Sequence, residues 1–109
     1  MIEWSKKLFL SDAAKKKIKK IREKLEKPDK LRFGAFLITL STNGTDLFDI
    51  YNILTFPAKH FKREENYVKI VGVAKSSEEA QELAGGIIAR LLKENVELTP
   101  DGLKGYFRD

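Results

Sequence analysis

Cysteine is absent from this chain of 109 residues, and histidine occurs only once. Without cysteine the protein has no disulfides, no thiol nucleophile and no thiolate metal site. The apolar run Leu8-Phe9-Leu10 near the N-terminus is too short for a signal peptide. No other run approaches the ~20 apolar residues that a bilayer span requires. These absences predict a protein of the cytoplasm that does not enter a membrane.

Residues that could carry catalysis are scarce. The sequence identifies no partner for the single histidine, His60, in the polar connection 57–66. Asp46 and Asp49 lie near the start of the second predicted strand, and a strand places residues three apart on opposite faces. The pair Gly85-Gly86 lies inside a predicted helix and forms no phosphate-binding loop. We therefore predict a non-catalytic protein without metal or cofactor, and an enzyme site around His60 is the weaker alternative.

Length and composition predict a single domain, residues 1–109. Apolar residues make up 42% of the chain and charged residues 34%, which is a normal globular balance. The domain divides into three predicted parts: an N-terminal segment at 1–10, an αβββα core at 11–95 and a docked C-terminal tail at 96–109. Leu103, Tyr106 and Phe107 are the tail residues that we expect to pack on the core.

The first predicted helix covers 12–27. Ser11 or Asp12 can cap it by accepting from backbone N–H groups of the first turn. Pro28 ends it, because the residue before a proline avoids helical geometry. Its apolar residues recur every three or four positions and form one narrow stripe, which consists of Ala14, Ile18, Ile21 and Leu25.

The second predicted helix covers 77–95. Ser76 and Glu79 match a capping box at its start, and Asn95 is a candidate C-cap. The glycines of Gly85-Gly86 cost up to ~1 kcal/mol each relative to alanine in a helix. Close packing of this helix against the sheet would explain them, and a hinge or a close ligand approach is the alternative.

Three segments rich in aromatic and β-branched residues are predicted strands, at 31–40, 47–56 and 67–74. Asn43-Gly44, between the first two, is a strong hairpin signal. The order α-β-β-β-α predicts an α+β fold in which an antiparallel three-stranded meander packs on two helices. A short strand at 7–10 could precede the first helix.

The predicted strands carry apolar side chains on both faces, whereas a half-exposed sheet is polar on one face. Two helices on one face would leave the other bare, and a large exposed apolar patch marks an interaction site. We therefore predict a homodimer or another protein partner, and helices divided between the two faces are the alternative. The candidate interface residues are Phe36, Ile38, Leu40, Tyr51 and Ile53.

The excess of positive charge lies near the N-terminus. Residues 1–30 carry eleven Lys and Arg against five Asp and Glu, and residues 31–109 carry ten against eleven. The candidate anion-binding or nucleic-acid-binding residues are Lys15, Lys16, Lys17, Lys19, Lys20, Lys24 and Lys27. The first three lie in or near the first predicted turn, where the helix dipole disfavours cations. The alternative is a solvated helix face on which lysines pair with glutamates four positions away.

Two families have sequences or element orders similar to this one. The order α-β-β-β-α, with Gly72-Val73-Ala74-Lys75-Ser76 leading into the second helix, resembles the double-stranded-RNA-binding domain over about 12–93. That family has a phosphate-clamping lysine cluster at the matching helix start, whereas 76–82 here is acidic, so this resemblance implies topology only.

The second resemblance covers most of the chain. The segments 46–51, 68–75 and 79–88, together with the opening Trp4-Ser5-Lys6, resemble small uncharacterised cytosolic proteins of Firmicutes. This resemblance implies no known activity and transfers no functional residues. The sequence therefore predicts a non-catalytic cytosolic binding or assembly module, and a nucleic-acid-binding accessory protein is the alternative.

Overall fold

The computed structural model describes residues 1–26, 34–43 and 45–108, with the backbone alone at 24 and 26. Its strands are β1 (Ile2–Leu10), β2 (Phe36–Leu40), β3 (Phe48–Asn52) and β4 (Val68–Ala74). Its helices are α1 (Asp12–Lys15), α2 (Ile18–Glu26), α3 (Ala58–Phe61), α4 (Ser77–Lys93) and α5 (Pro100–Tyr106). The α+β class that the sequence predicts is confirmed.

The sheet has the order β1-β4-β2-β3, so the predicted antiparallel meander is wrong in its connections. β2 pairs antiparallel with both β3 and β4, and β4 pairs parallel with β1. The connection 53–67 is long enough to carry the chain past β2, so β4 need not lie beside β3. The extra N-terminal strand also differs from the prediction, because it covers Ile2–Leu10 rather than 7–10 and forms an edge of the sheet.

The pairing of β4 with its neighbours shifts near Gly72. On β1 the register breaks between Trp4 and Phe9, and on β2 it breaks between Ile38 and Thr39. A Cβ added at Gly72 would lie 3.2 Å from Ile38 Cδ1 and 3.4 Å from the Phe9 carbonyl oxygen. Glycine at this position therefore lets three strands approach one another at an irregular point of the sheet.

Helices cover both faces of the sheet. One core is formed by the α1, α2 and α3 side, where Ala14, Ile21 and Phe61 are buried with Leu37 and Val73 of the sheet. The other is formed by the α4 and α5 side, where Ile87, Leu91, Leu103 and Phe107 are buried with Ile38 and Val71. The alternative of helices divided between the faces therefore accounts for strands that are apolar on both sides.

This arrangement covers most of the candidate interface residues. Ile38, Leu40 and Ile53 are buried within the chain itself. Phe36 and Tyr51 are half-buried at the margins of the two cores, and the Tyr51 ring centroid lies 5.1 Å from that of Phe56. Over the residues that the structure describes, both sheet faces are covered, so the bare apolar face that suggested a homodimer is not found there.

The helix predicted at 12–27 is divided at Lys16 and Lys17. Ser11 caps α1, since its hydroxyl accepts from the Ala14 N–H at 3.2 Å. The Lys17 N–H then bonds to the Ala14 carbonyl at 3.0 Å, three residues back, and α2 begins at Ile18. This turn lets the predicted apolar stripe enter the core on both sides of the break, with Ala14 and Ile21 buried. The predicted helix end at Lys27 and Pro28 lies outside the described residues.

The second predicted helix is confirmed in α4. The Ser76 hydroxyl accepts from the Glu79 N–H at 3.1 Å at its start. At its end Asn95 has φ 58°, and the Val96 N–H bonds to the Leu91 carbonyl, as in a Schellman motif. The prediction that Gly85-Gly86 packs closely on the sheet is wrong. Both glycines are exposed, and a Cβ added at either would meet nothing within 4 Å among the described residues.

Candidate anion-binding groove

A groove opens on the α5 side of the sheet where β2 and β4 stop pairing. Thr39 and Ile70 form the last registered pair of these strands. Beyond that pair, the end of β2 and the start of β4 form the walls, and α5 closes the groove. Its volume is about 410 Å³. The lining residues are Leu40, Ser41, Thr42, Tyr67, Val68, Lys69, Pro100, Lys104 and Arg108.

The helix α5 presents Lys104 to the groove, and Arg108 follows directly after its C-terminus on the same side. Pro100, Lys104 and Arg108 are spaced by four and line the groove, whereas Leu103 and Phe107 are buried in the core. The start of α5 is fixed by the Thr99 hydroxyl, which accepts from the Gly102 N–H at 3.0 Å. Burial of Leu103 and Phe107 therefore places Lys104 and Arg108 on the groove side.

Two lysines from the sheet hold the C-terminal end of α5. Lys7 Nζ donates to the Tyr106 carbonyl at 2.7 Å and lies 4.3 Å from the Tyr106 ring centroid. Lys69 Nζ donates to the Phe107 carbonyl. Cations at the C-terminus of a helix interact favourably with its dipole and satisfy carbonyls that lack a helical partner. The α5 wall of the groove is therefore tied to β1 and β4.

Lys69 is a buried cation in an otherwise apolar strand and is only 6% exposed. Its Nζ lies 3.4 Å from Glu3 Oε2 of the adjacent edge strand. The other oxygen of that carboxylate, Oε1, accepts from the Tyr67 hydroxyl at 2.5 Å. Burying a lysine is costly unless a countercharge and hydrogen bonds accompany it. Glu3 therefore holds Lys69 and Tyr67 in place at the inner side of the groove.

The lining carries three cations and, among the described residues, no carboxylate. Lys69 lies at the inner side, and Lys104 and Arg108 are exposed at the α5 wall. Thr42 adds a hydroxyl that can donate to an anion, whereas the Ser41 hydroxyl already donates to Asn43 Oδ1 at 2.7 Å. Such an arrangement can bind an anion by charge-assisted hydrogen bonds.

The basic residues predicted from the sequence lie on the other side of the sheet. Lys15, Lys16, Lys17, Lys19 and Lys20 of α1, α2 and the turn between them are exposed. The Lys24 side chain and Lys27 lie outside the described residues. The Lys15 ammonium is 3.8 Å from the Asp12 carboxylate. The structure thus gathers these lysines on α1 and α2 and places none of the described ones in the groove.

The helix break changes the electrostatic argument for these lysines. Lys15 and Lys16 lie at the end of α1, where the helix dipole favours cations. Lys19 and Lys20 instead lie in the first turn of α2, which contains no acidic residue. The unfavourable dipole interaction predicted for Lys15, Lys16 and Lys17 therefore applies to Lys17, which directly precedes α2 and accepts from the Ile21 N–H, and to Lys19 and Lys20.

The candidate catalytic residues stay apart. His60 is exposed next to Phe61, with ring centroids 4.9 Å apart, and it does not line the groove. Asp46 accepts from the Asn43 side-chain amide at 2.9 Å, and Asp49 lies on β3.

Within residues 1–26, 34–43 and 45–108, no three histidine or carboxylate side chains gather as metal ligands would. No helix in this described part is long and apolar enough to cross a bilayer.

The groove was not predicted, although two signals in the sequence point to its residues. Lys69 interrupts the apolar segment Val68–Ala74, and a charge in a buried strand needs a partner or a function. Lys104 and Arg108 are four positions apart in the tail, which places them on one side of a helix. Nothing in the sequence indicates that these two signals meet, because their segments are far apart along the chain.

Comparison with protein-family models, with curated proteins and with solved structures finds no match to this chain.

Proposed function

We propose that this protein is a non-catalytic binding module and that its ligand is an anion held in the groove between β2, β4 and α5. The observation that carries the proposal is the set of three cations, Lys69, Lys104 and Arg108, which line one concavity without a carboxylate among the described lining residues.

The shape of the groove supports a ligand of small-molecule size. A volume of about 410 Å³ falls within the range of ~300–1,000 Å³ that is common for ligand sites. Apolar lining from Leu40, Val68 and Pro100 lies beside the cations and hydroxyls, a mixture typical of such sites. The lining offers no histidine and no pair of carboxylates for acid–base chemistry, so binding is the function that it supports.

The proposal is tested by titrating the protein with inorganic phosphate and with citrate at low ionic strength, followed by amide chemical shifts. We expect shifts at Ser41, Lys69 and Lys104 that saturate, and their loss in the double variant Lys104→Gln with Arg108→Gln. The charge-matched control is Lys59→Gln with Lys93→Gln, two exposed lysines that do not line the groove. Equal weakening in both double variants, or no saturable shift in the wild type, would reject the site.

Nucleic-acid binding by α1 and α2 is the second candidate function. It is supported by the exposure of Lys16, Lys19 and Lys20 and by the placement of the last two at a helix start that disfavours them. A binder of this kind shows a log–log salt dependence of about −0.9 per neutralised phosphate on duplex DNA and about −0.7 on single strands.

Fluorescence anisotropy with labelled RNA and DNA, from low to physiological salt, tests this candidate. Lys16→Glu with Lys20→Glu should abolish binding, whereas Lys59→Glu with Lys62→Glu changes the charge equally at another surface and should weaken it less. Absence of binding at low salt rejects the candidate.

Assembly with a second copy or another protein is a third candidate. With both sheet faces covered, it would use the edge strand β3, where Ile50 is 39% exposed and nearby Leu54 is 58% exposed. Light scattering at high micromolar concentration tests it, and a strict monomer rejects the homodimer.

A further inference from the structure

We propose that the ligand of the groove is an organic phosphate monoester whose phosphate lies at Lys104 and Arg108 and whose planar ring lies against Tyr67. This inference rests on the proposed anion-binding function and specifies the class of anion.

The charges at the groove favour a dianion. Three cations line it, and Glu3 supplies one countercharge to Lys69 from behind. Lys104 and Arg108 are the two exposed cations of the lining, and together they place two positive charges at the α5 side of the groove. A phosphate monoester carries between −1.5 and −2 near neutral pH, whereas a simple carboxylate carries only one negative charge.

The positions of the cations indicate where the phosphate lies. Lys69 is already bonded to the Phe107 carbonyl and paired with Glu3. Its ammonium therefore adds to the positive electrostatic potential of the groove but is not free to move toward a ligand. Lys104 and Arg108 are exposed on the α5 wall and can turn toward a ligand. The guanidinium of Arg108 offers the paired donors that match phosphate oxygens. The phosphate is therefore placed at the α5 side of the groove.

A bare phosphate would fill only a small part of the groove. A water molecule has a liquid volume of about 30 Å³, and a phosphate is roughly two to three times larger. Most of the 410 Å³ would stay empty. The rest of the lining includes Leu40, Val68 and Pro100, which are apolar and suit an organic group.

Tyr67 provides a surface for a ring. It lines the groove and is 45% exposed, and its hydroxyl is held by Glu3 Oε1 at 2.5 Å. A ring fixed at its polar end needs little ordering before a ligand stacks on it. Stacking of a base on an aromatic side chain strengthens binding without sequence preference, because every base has a π-face. A phosphate monoester with a heteroaromatic ring therefore contacts both the cations at the α5 side of the groove and the Tyr67 ring.

Isothermal titration calorimetry with four probes tests the inference: adenosine 5′-monophosphate, adenosine, glycerol 3-phosphate and inorganic phosphate. We expect the nucleotide to bind about tenfold more tightly than glycerol 3-phosphate, which lacks a ring. Adenosine, which lacks the phosphate, should bind at least tenfold more weakly than the nucleotide.

Variants at Tyr67 separate the ring from the phosphate. Tyr67→Leu should weaken nucleotide binding about tenfold more than it weakens glycerol 3-phosphate binding, because only the nucleotide has a ring to stack. Tyr67→Phe keeps the ring and should retain most of the preference. Lys104→Gln with Arg108→Gln should remove binding of both phosphates.

The outcomes distinguish the two proposals. If the wild type binds inorganic phosphate, glycerol 3-phosphate and the nucleotide equally in the groove, the monoester inference is wrong and the anion-binding function stands. If Tyr67→Leu keeps the full preference, the ring does not lie on Tyr67 and the inference is also wrong. If none of the three phosphates binds, both proposals are wrong.

Discussion

Lys69 and Glu3 show how a single buried charge organises one side of this protein. The ammonium lies 3.4 Å from the carboxylate and also donates to the last buried residue of the tail, Phe107. Because Glu3 is on β1, Lys69 on β4 and Phe107 after α5, the pair joins three distant segments. Such a pair contributes little net stability, but removal of one member leaves the other in an unfavourable environment.

We expect Glu3→Gln to lower the free energy of unfolding by about 1 kcal/mol, because the buried ammonium loses the Glu3 carboxylate and the pair is partly screened at its exposed side. Lys69→Met keeps the apolar stem and leaves unpaired only Glu3, whose side chain is 39% exposed and can be solvated, so its effect should be smaller. Urea unfolding measures both. A neutral Glu3→Gln together with a strongly destabilising Lys69→Met would contradict this account.

The ionisation of the Glu94 carboxyl provides a second test at the scale of a single residue. Its carboxylate accepts from the Tyr106 hydroxyl at 2.9 Å and from Arg90 Nε at 3.0 Å. Both hydrogen bonds lower the pKa of Glu94 below its usual value of 4.5, and the hydrogen bond from Tyr106 has the larger effect. A lowered pKa stabilises the folded state above the unfolded pKa, and this contribution is lost as the pH falls through the folded pKa.

We therefore expect the contact between α4 and α5 to persist at neutral pH and to weaken only in acid. A carbon-detected NMR titration of the Glu94 carboxyl should give a pKa below 4.5 in the wild type. Tyr106→Phe removes the hydrogen bond from the Tyr106 hydroxyl and should therefore raise the pKa of Glu94. Identical titration of the two proteins would show that the hydrogen bond is not formed in solution.

At the scale of elements, glycines in two helices have opposite roles. Gly85 and Gly86 are exposed in α4, with open space where a Cβ would lie. Gly102 is in the first turn of α5, where a Cβ would overlap the Glu97 carbonyl. The sequence alone assigned a packing role to the first pair, because it does not indicate which side of α4 faces the sheet.

Alanine substitutions test these roles. Gly85→Ala and Gly86→Ala should each raise the free energy of unfolding by about 0.5–1 kcal/mol, because alanine has the higher helix propensity. Gly102→Ala should lower it by at least about 1 kcal/mol, because the start of α5 must shift away from Glu97. Thermal unfolding of the three variants measures the difference. A destabilising Gly86→Ala would restore the close-packing role for that glycine.

For the whole molecule, the sheet joins two cores into one unit. Successive residues of β4 enter opposite cores, Val73 on the α2 side and Ala74 on the α4 side. Neither core can lose its sheet face without disturbing the other. This shared sheet, rather than a second protein chain, accounts for the apolar character of both strand faces.

We therefore expect both cores to unfold in one transition. The single tryptophan, Trp4, packs on the α2 side, where the Arg22 guanidinium lies 4.9 Å from its ring, so its fluorescence reports that core. Far-UV circular dichroism is weighted toward α4 on the opposite side, which is the longest described helix. Urea midpoints from the two probes should coincide. Separate midpoints would mean that the cores fold independently.

The sequence by itself determined the local features of this protein. Ser11 and Ser76 cap the helices that they were predicted to cap, and the β2–β3 pair flanks the Asn43 turn. These features depend on hydrogen bonds and steric preferences within a few residues, so a local pattern suffices to predict them. Even here the break at Lys16 and Lys17 was missed, because it reflects packing of two short helices on the sheet.

Only the tertiary structure decided which segments lie together. The apolar strands could have been ordered in several ways, and the observed order buries both faces under the chain's own helices. That order brings Ser41, Tyr67 and Lys104 to one groove although they are far apart in sequence. Long-range pairing depends on the total apolar surface buried rather than on any local signal. The cluster of cations near the N-terminus was therefore visible in the sequence, whereas the grouping of Lys69, Lys104 and Arg108 in the proposed site was not.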